Sequence, residues 1–250
     1  MMISKSQIQL ISSLKQKKYR KIHKLFAVEG VKTVDELLES TFTVHSLYAT
    51  PSWLHHNIGK ARKIRIANIY EINEETLKKI SSLENPNQVL ALVKIPEKEK
   101  AVPCELLLVL DGIRDPGNLG TIIRIADWYA LPFILCSEDS VDVYNPKVIQ
   151  ASMGSIFRIK VLYDDLSMFS AKYPQYKIYG ATLDGNNLHS LKPDFPAAVF
   201  IGNESEGLRE KCLTQLKERI SIPRYGKAES LNASVAAGII CDSFVRSIKF

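Results

Sequence analysis

Three stretches of this chain share one form, in which an apolar segment runs into a polar, glycine-containing loop and then a helix-compatible segment. We refer to them as motif 1, motif 2 and motif 3, and their sequences are DGIRDPGNLGTIIR (residues 111–124), IGNESEGL (201–208) and IPRYGKAESLNASVA (222–236). The apolar segments 105–110 and 197–201 have the composition of strands buried on both faces of a parallel sheet. Because loops at the carboxyl ends of such strands gather at one edge and form ligand sites, the chain is predicted to contain an α/β domain with a site built from these loops.

In residue type, order and position after strands, the three motifs resemble those of the SpoU (TrmH-like) RNA ribose 2′-O-methyltransferases of the SPOUT superfamily. The resemblance is specific over residues 106–250 and more general over the N-terminal third. It implies an α/β protein in which an N-terminal L30e-like α/β/α sandwich is joined to a C-terminal SPOUT domain with a deep trefoil knot. It also implies a homodimer.

The N-terminal third has its own pattern of alternating helices and strands, which predicts a small α/β/α sandwich. We place this domain at residues 1–95, a charged linker bounded by prolines at 96–104, and the methyltransferase domain at 105–250. Residues 4–24 are predicted to form one helix with a basic end. By the resemblance, the N-terminal domain binds the RNA substrate.

Positive charge is concentrated in that N-terminal part. Residues 1–100 contain 17 basic and 10 acidic side chains, whereas residues 101–250 contain 16 and 17. The first 24 residues contain seven basic side chains and no acidic one. Such a cluster suits the capture of a phosphate backbone, although a solvated basic helix face is the alternative. The side chains predicted to contact RNA are Lys17, Lys18, Arg20 and Lys21, together with Arg124 in motif 1.

Several other kinds of site lack support in the sequence. There is no GxGxxG after a strand and no P-loop, which argues against a Rossmann or Walker-type nucleotide site. The five histidines and four cysteines have no metal-ligand spacing, so we expect no metal. No apolar run approaches the ~18–20 residues that span a bilayer, and the N-terminus lacks the apolar core of a secretory signal. We therefore expect a cytoplasmic protein without membrane attachment.

Methyl transfer from S-adenosylmethionine, the cofactor implied by the resemblance, requires mainly positioning of the acceptor oxygen and help with loss of its proton. Arg124 matches the family's essential arginine. Because arginine stays protonated, we predict that it binds phosphate and stabilises the developing alkoxide rather than acting as a base. A surface or ion-paired arginine is the alternative.

Four further polar residues are predicted to organise the catalytic site. Asn118 and Ser230 also have the character of helix N-caps, and Glu204 precedes a predicted helix, where a carboxylate suits the helix dipole. By the resemblance, Glu204 orders the catalytic loop and Asn232 presents an amide near the cofactor or ribose.

The predicted cofactor pocket includes glycine and aliphatic positions. Gly202 allows close backbone approach, and Ile222 and Leu231 match the family's adenine-wall positions. From the pattern alone, a strand-end turn and two core residues are the alternatives. Asn232 and Leu183, the latter at the end of a predicted strand, complete the predicted set.

The function predicted from these observations is methylation of a ribose 2′-hydroxyl in structured RNA. Ribosomal RNA is the first choice, because the two-domain layout resembles the rRNA-directed members. Transfer RNA is the alternative substrate. A non-catalytic RNA-binding or ribosome-assembly protein on the same fold is the alternative of a different class.

Overall fold

Helices and strands alternate along the chain, as the sequence predicts, although several boundaries differ. The computed structural model describes residues 3–63, 66, 68–97 and 101–249. In its first part the elements are α1 (Lys5–Ser13), α2 (Lys17–His23), β1 (Leu25–Glu29), α3 (Val31–Leu38), β2 (Val44–Ala49), α4 (Pro51–Lys63), β3 (Asn68–Glu71), α5 (Glu74–Ile80) and β4 (Val89–Lys94). In its second part they are β5 (Leu106–Leu110), α6 (Pro116–Trp128), β6 (Phe133–Ser137), α7 (Pro146–Ser152), β7 (Lys160–Asp164), α8 (Phe169–Lys172), β8 (Lys177–Asn187), β9 (Ala197–Ile201), α9 (Glu210–Leu213), β10 (Glu218–Ser221) and α10 (Ala233–Lys249).

These elements form two compact units. The first comprises Met1–Lys98 with Asp142–Phe157, and the second comprises Glu99–Val141 with Arg158–Phe250. A segment within the predicted methyltransferase domain therefore packs with the N-terminal elements. Residues 98–100 of the predicted linker lie outside the described residues.

The first unit is built on a four-stranded sheet of order β1-β4-β2-β3. β4 runs antiparallel to both β1 and β2, and β2 runs parallel to β3. Aliphatic side chains of α1 and α5 pack against one face of this sheet, where Ile11, Leu14, Leu77 and Ile80 are buried. The predicted helix over residues 4–24 is two helices, α1 and α2, separated at residues 14–16.

A buried ion pair joins the segment Asp142–Phe157 to the rest of this unit. Arg20 is 2% exposed, and its Nε and Nη2 atoms donate to Asp142 Oδ2 at 3.0 and 2.6 Å. Its Nη1 atom donates to the carbonyl oxygens of Leu14 and Lys15 at 2.8 and 2.9 Å. Arg20 is therefore not available to an RNA phosphate, and we remove it from the predicted RNA-binding set; the exposed Lys17, Lys18 and Lys21 remain.

The second unit is built on a six-stranded sheet of order β10-β8-β9-β5-β6-β7, in which every pair is parallel. All residues of β5, β6 and β9 are buried, as their uninterrupted apolar composition predicts. One apolar core includes Val109, Leu135, Phe169 and Phe200. α6 and α10, the helices of motifs 1 and 3, pack against each other. The helix predicted after Glu204 is only the single turn of α9.

Candidate active site

Motifs 1 and 2 begin side by side because the strands before them are neighbours in the sheet. β5 and β9 pair with Leu110 opposite Ile201, so both loops leave the sheet at the same level. The Asp111 amide continues the pairing by donating to the Ile201 carbonyl oxygen at 2.9 Å. Motif 3 follows β10, two strands from β9, and its helix α10 returns to pack on α6.

A chain of hydrogen bonds joins one side chain from each motif. The side-chain nitrogen Nδ2 of Asn118 donates to Glu204 Oε1 in a short hydrogen bond. The side-chain nitrogen Nδ2 of Asn232 donates to Asn118 Oδ1 at 2.8 Å. Asn118 is 8% exposed, whereas Glu204 and Asn232 are exposed, so the chain leads from a buried amide to the surface. The structure thus brings together three of the five residues predicted to be catalytic.

The helix starts next to this cluster differ from the predicted ones. The N-cap of α6 is Asp115, whose carboxylate accepts a hydrogen bond from the backbone N–H of Asn118 at 2.8 Å. Asn118 itself lies in the first turn of the helix. α10 begins at Ala233, where Asn232 Oδ1 accepts from the Ser234 amide at 2.9 Å. The cap predictions for Asn118 and Ser230 are therefore wrong. Since the Asn232 oxygen caps α10, its amide nitrogen points to Asn118.

Beside the cluster lies a cavity of about 650 Å³, within the ~300–1,000 Å³ range of small-molecule sites. The predicted residues Leu183, Gly202, Ile222, Ser230 and Leu231 line it, as does Glu204. Further apolar wall comes from Ile201, Leu208, Ile220, Ala233, Ala236 and Ile240. Its acidic lining is Asp184, Glu204, Glu206 and Glu229.

Gly202 is required by the packing of backbone against backbone at the cavity wall. A Cβ atom on Gly202 would lie 2.2 Å from both the carbonyl carbon and the carbonyl oxygen of Gly207, and 2.5 Å from the Leu208 amide nitrogen. Gly207 itself has φ of +66°, a left-handed conformation that favours glycine. The motif 2 loop therefore closes on itself at the edge of the cavity.

Arg124 stands apart from the hydrogen-bonded cluster. It is exposed on α6, and within the described part of the chain no ion pair or hydrogen bond engages its guanidinium group. Six residues of helix separate it from Asn118, which corresponds to about 9 Å along the axis and a direction about 120° away. Arg124 is thus free to bind an external anion, but it does not meet Asn118 within one chain.

An ion-pair cluster that the sequence reasoning missed links motif 1 to the residue after motif 2. Arg209 Nε donates to Asp111 Oδ1 at 2.8 Å, its Nη2 makes a short hydrogen bond to the same oxygen, and its Nη1 donates to Asp139 Oδ2 at 2.9 Å. Hydrogen bonds to Asp111 raise the pKa of the Arg209 guanidinium. Burial alone would raise the pKa of Asp139, but hydrogen bonds from Arg209 and Ser137 lower it overall. The signal that could have revealed the cluster is a carboxylate directly after a fully buried strand.

The buried thiols are not poised for reaction. Burial, with Asp111 nearby, raises the pKa of Cys212 to about 12, and burial raises the pKa of Cys241 to about 12. Both therefore stay protonated near neutral pH, which argues against a thiolate nucleophile.

Among the described residues, no group of three or more His, Cys, Asp or Glu side chains is placed to hold a metal ion. In the same residues, no helix has both the length and the apolar composition needed to cross a bilayer.

Comparison with known proteins places these features in a family. Residues 105–242 match the SpoU rRNA Methylase family, and residues 5–91 match the MRM3-like substrate binding domain. The 23S rRNA (guanosine(2553)-2′-O)-methyltransferase RlmP of Bacillus subtilis is 30% identical over 94% of this chain and 97% of its own length. A solved structure from Porphyromonas gingivalis, assigned to the TrmH family of RNA methyltransferases, has a TM-score of 0.87 and 32% identity, covering 98% of this chain and 99% of its own. The AdoMet-bound rRNA methyltransferase from Sinorhizobium meliloti has a TM-score of 0.87 and 25% identity, covering 100% of this chain and 98% of its own. With three motif side chains joined beside a cavity and more than half of the sequence matched, the chain belongs to the SpoU rRNA methylase family.

Proposed function

We propose that this chain transfers a methyl group from S-adenosylmethionine to a ribose 2′-hydroxyl in ribosomal RNA. The observation that carries the proposal is the chain of hydrogen bonds from Glu204 through Asn118 to Asn232, beside a cavity of cofactor size. A protein that had lost catalysis would have no need to keep side chains from three separate motifs in mutual contact. Membership of the SpoU family makes the chain an RNA ribose methyltransferase.

The volume and the lining of the cavity support S-adenosylmethionine as its ligand. Ile222 and Leu231 supply apolar wall for an adenine ring, and the tightly packed backbone at Gly202 forms part of the same wall. The charged lining is mixed, since Arg219 and Arg224 also line the cavity and Arg219 binds Asp184. Leu183 is 77% exposed in the structure, so its proposed role is contact with the cofactor at the cavity mouth.

In the proposed reaction, S-adenosylmethionine would supply an electrophilic methyl group: the bond from the ribose oxygen to the methyl carbon forms as the S–CH3 bond breaks, S-adenosylhomocysteine leaves, and the 2′-hydroxyl proton is released to water. Glu204 fixes the orientation of Asn118, and Asn118 fixes that of Asn232, so the amide of Asn232 is held in place before RNA arrives. Ser230 lines the cavity with an exposed hydroxyl next to Leu231, where it can contact cofactor or ribose. The guanidinium group of Arg124 binds the phosphate beside the target ribose and stabilises the negative charge that develops on the ribose 2′-oxygen.

Two surfaces are proposed to contact RNA. Lys17, Lys18 and Lys21 are exposed on or beside α2 and supply positive charge for phosphates. Tyr225 in motif 3 is 92% exposed, lines the cavity mouth and lies next to Arg224, which makes it a platform on which an unpaired base can stack.

The proposed substrate is large-subunit rRNA, with guanosine as the first choice for the modified nucleoside. Support comes from RlmP, which is named for that reaction and covers nearly the whole of this chain. Transfer RNA remains the alternative substrate. We also propose a cytoplasmic location, because the four cysteines are unpaired in the structure, as in a reducing compartment.

We further propose the finer features of the fold. The sheet order β1-β4-β2-β3 and the match to a substrate-binding domain support an L30e-like N-terminal domain over residues 1–95, with a linker at 96–104. Membership of the SpoU family supports the deep trefoil knot proposed for the C-terminal part. A homodimer is supported by Trp128 and Val235, apolar side chains that are 84% and 50% exposed on the packed helices α6 and α10.

The experiment that tests this function is methyl incorporation from labelled S-adenosylmethionine into RNA of cells lacking the gene. The RNA is separated into large rRNA, small rRNA and tRNA after reaction with the purified protein. Label in large rRNA supports the proposal, and label in tRNA alone replaces the substrate. If no fraction is labelled and calorimetry detects no S-adenosylmethionine binding, the non-catalytic alternative is favoured.

A further inference from the structure

The loop that carries Glu204 is held at both of its ends by two consecutive residues of motif 1. At one end, the side-chain nitrogen Nδ2 of Asn203 donates to the Gly112 carbonyl oxygen at 3.0 Å. At the other end, the Arg209 backbone amide donates to Asp111 Oδ2 at 2.9 Å, and its guanidinium binds Asp111 Oδ1. Glu204 lies between these two attachments.

The Arg209 attachment is both buried and geometrically restrictive. The Asp111 side chain is 0% exposed and that of Arg209 29% exposed. A carboxylate removed from water is costly unless it is paired, so Asp111 strongly favours the conformation in which Arg209 reaches it. The planar guanidinium group binds in a fixed direction, and its bond to Asp139 adds a second constraint on the same side chain.

This attachment has a direct consequence for the hydrogen-bonded cluster. Asn118 follows Asp111 and Gly112 in motif 1 and lies in the first turn of α6, and Glu204 precedes Arg209 on the motif 2 loop. Joining the two loops at Asp111 and Arg209 therefore sets where the Glu204 carboxylate lies relative to the Asn118 amide. We propose that Arg209 is a positioning residue for methyl transfer, which acts by holding Glu204 in contact with Asn118. The proposal rests on the methyltransferase function proposed above.

The test compares the full-length wild-type protein with Arg209→Lys in methyl transfer to the RNA fraction that the wild type labels. Lysine keeps the charge that Asp111 requires but cannot reproduce the two-nitrogen contact. We expect kcat to fall by about 10- to 100-fold, the range caused by displacement of a catalytic group, with the KM for RNA unchanged and a much smaller change in the Kd for S-adenosylmethionine, because the same loop also lines the cavity. The matched control is Arg158→Lys, since Arg158 binds Asp127 through Nε and Nη2 at 3.0 and 2.8 Å, and this variant should keep the wild-type kcat.

A double-mutant cycle separates positioning from a general structural effect. Under single-turnover conditions, which allow slow reactions to be measured, Arg209→Lys is combined with Glu204→Ala, which removes the oxygen that accepts from Asn118. If Arg209 acts through Glu204, the double variant reacts as slowly as Glu204→Ala alone. If the two losses multiply, Arg209 acts independently of Glu204 and the proposal is overturned.

A second pair of substitutions guards against misfolding. The variant Asp111→Asn/Arg209→Gln removes both charges, so no unpaired buried charge remains, and it should also show a lower kcat with a much smaller change in cofactor affinity. A wild-type kcat in Arg209→Lys or in this double variant would overturn the proposal, as would a parallel loss of S-adenosylmethionine binding. If the wild-type protein itself labels no RNA, the proposed function fails rather than the positioning role alone.

Discussion

Replacing Arg20 with alanine tests whether this arginine stabilises the fold or binds RNA. The substitution removes the Arg20 guanidinium group, which donates to the Asp142 carboxylate and to the carbonyl oxygens of Leu14 and Lys15. Removing one partner of a buried pair costs ~3–5 kcal/mol. Because the Asp142 side chain is 16% exposed and can gain some water, we expect the lower end of that range, about 3 kcal/mol of the free energy of unfolding.

The assay is urea unfolding followed by circular dichroism, together with filter binding of the RNA that the protein methylates. Lys21→Ala is the matched control, since Lys21 is an exposed neighbour on the same helix. It should leave the unfolding midpoint unchanged and weaken RNA binding, most clearly at low salt. If Arg20→Ala unfolds at the wild-type urea concentration and loses RNA affinity as Lys21→Ala does, the structural role assigned to Arg20 is refuted.

Four further outcomes follow from the same structure. Arg124→Ala should abolish methylation without changing the unfolding midpoint, because the side chain has no partner among the described residues; normal turnover would defeat its assignment. Gly202→Ala should abolish S-adenosylmethionine binding in calorimetry, since the added methyl group would meet backbone atoms at 2.2 Å; wild-type affinity would show that the motif 2 loop does not shape the pocket. Tyr225→Leu should raise the KM for RNA while Tyr225→Phe keeps it near the wild-type value, and equal effects of the two would argue against base stacking. Hydrogen bonds from Ser167 lower the pKa of Asp165 to about 2. The stability that the ionised Asp165 contributes is therefore complete above the unfolded pKa of about 3.9 and is lost as the pH falls toward 2. As the pH is lowered from about 4 to about 2, the urea midpoint of Asp165→Asn should fall less than that of the wild type.

The sheet of the second unit could be predicted well because its strands carry a strong signal. Residues 106–110 and 197–201 are apolar without interruption, and both are fully buried in neighbouring parallel strands. The polar residues that follow them could then be placed together at one edge. Asn118, Glu204 and, from the loop after β10, Asn232 are hydrogen-bonded together, and their catalytic role stays a prediction.

Local detail was harder to predict because competing signals lie within a few residues. At the start of α10, Ser230 and Asn232 are both good caps, and only the path of the loop places the Asn232 oxygen over the free amides. At the start of α6, the pair Asp115–Pro116 was the better cap signal, because proline favours the first helical position. Helix α4 could not be predicted, because its sequence is mostly polar and offers few apolar residues from which a helix face can be recognised.

The side-chain pairs could not be predicted, because they join residues far apart in the sequence. Arg20 reaches Asp142, and Arg209 reaches Asp111. No local pattern distinguishes these arginines from the exposed basic residues around them. Only the fold shows that Arg20 is a core residue, whereas Arg124 has no partner in the part of the chain that the structure describes.

Alkaline hydrolysis of the labelled RNA tests most directly whether the methyl group is placed on a ribose 2′-oxygen. Alkali cleaves RNA through the 2′-hydroxyl, so a 2′-O-methylated nucleotide leaves an uncleaved dinucleotide. The predicted result, with wild-type protein and labelled S-adenosylmethionine, is that the label is recovered in dinucleotides and is absent when Arg124→Ala is used. Recovery of the label in mononucleotides would mean that a base is methylated and would contradict the account.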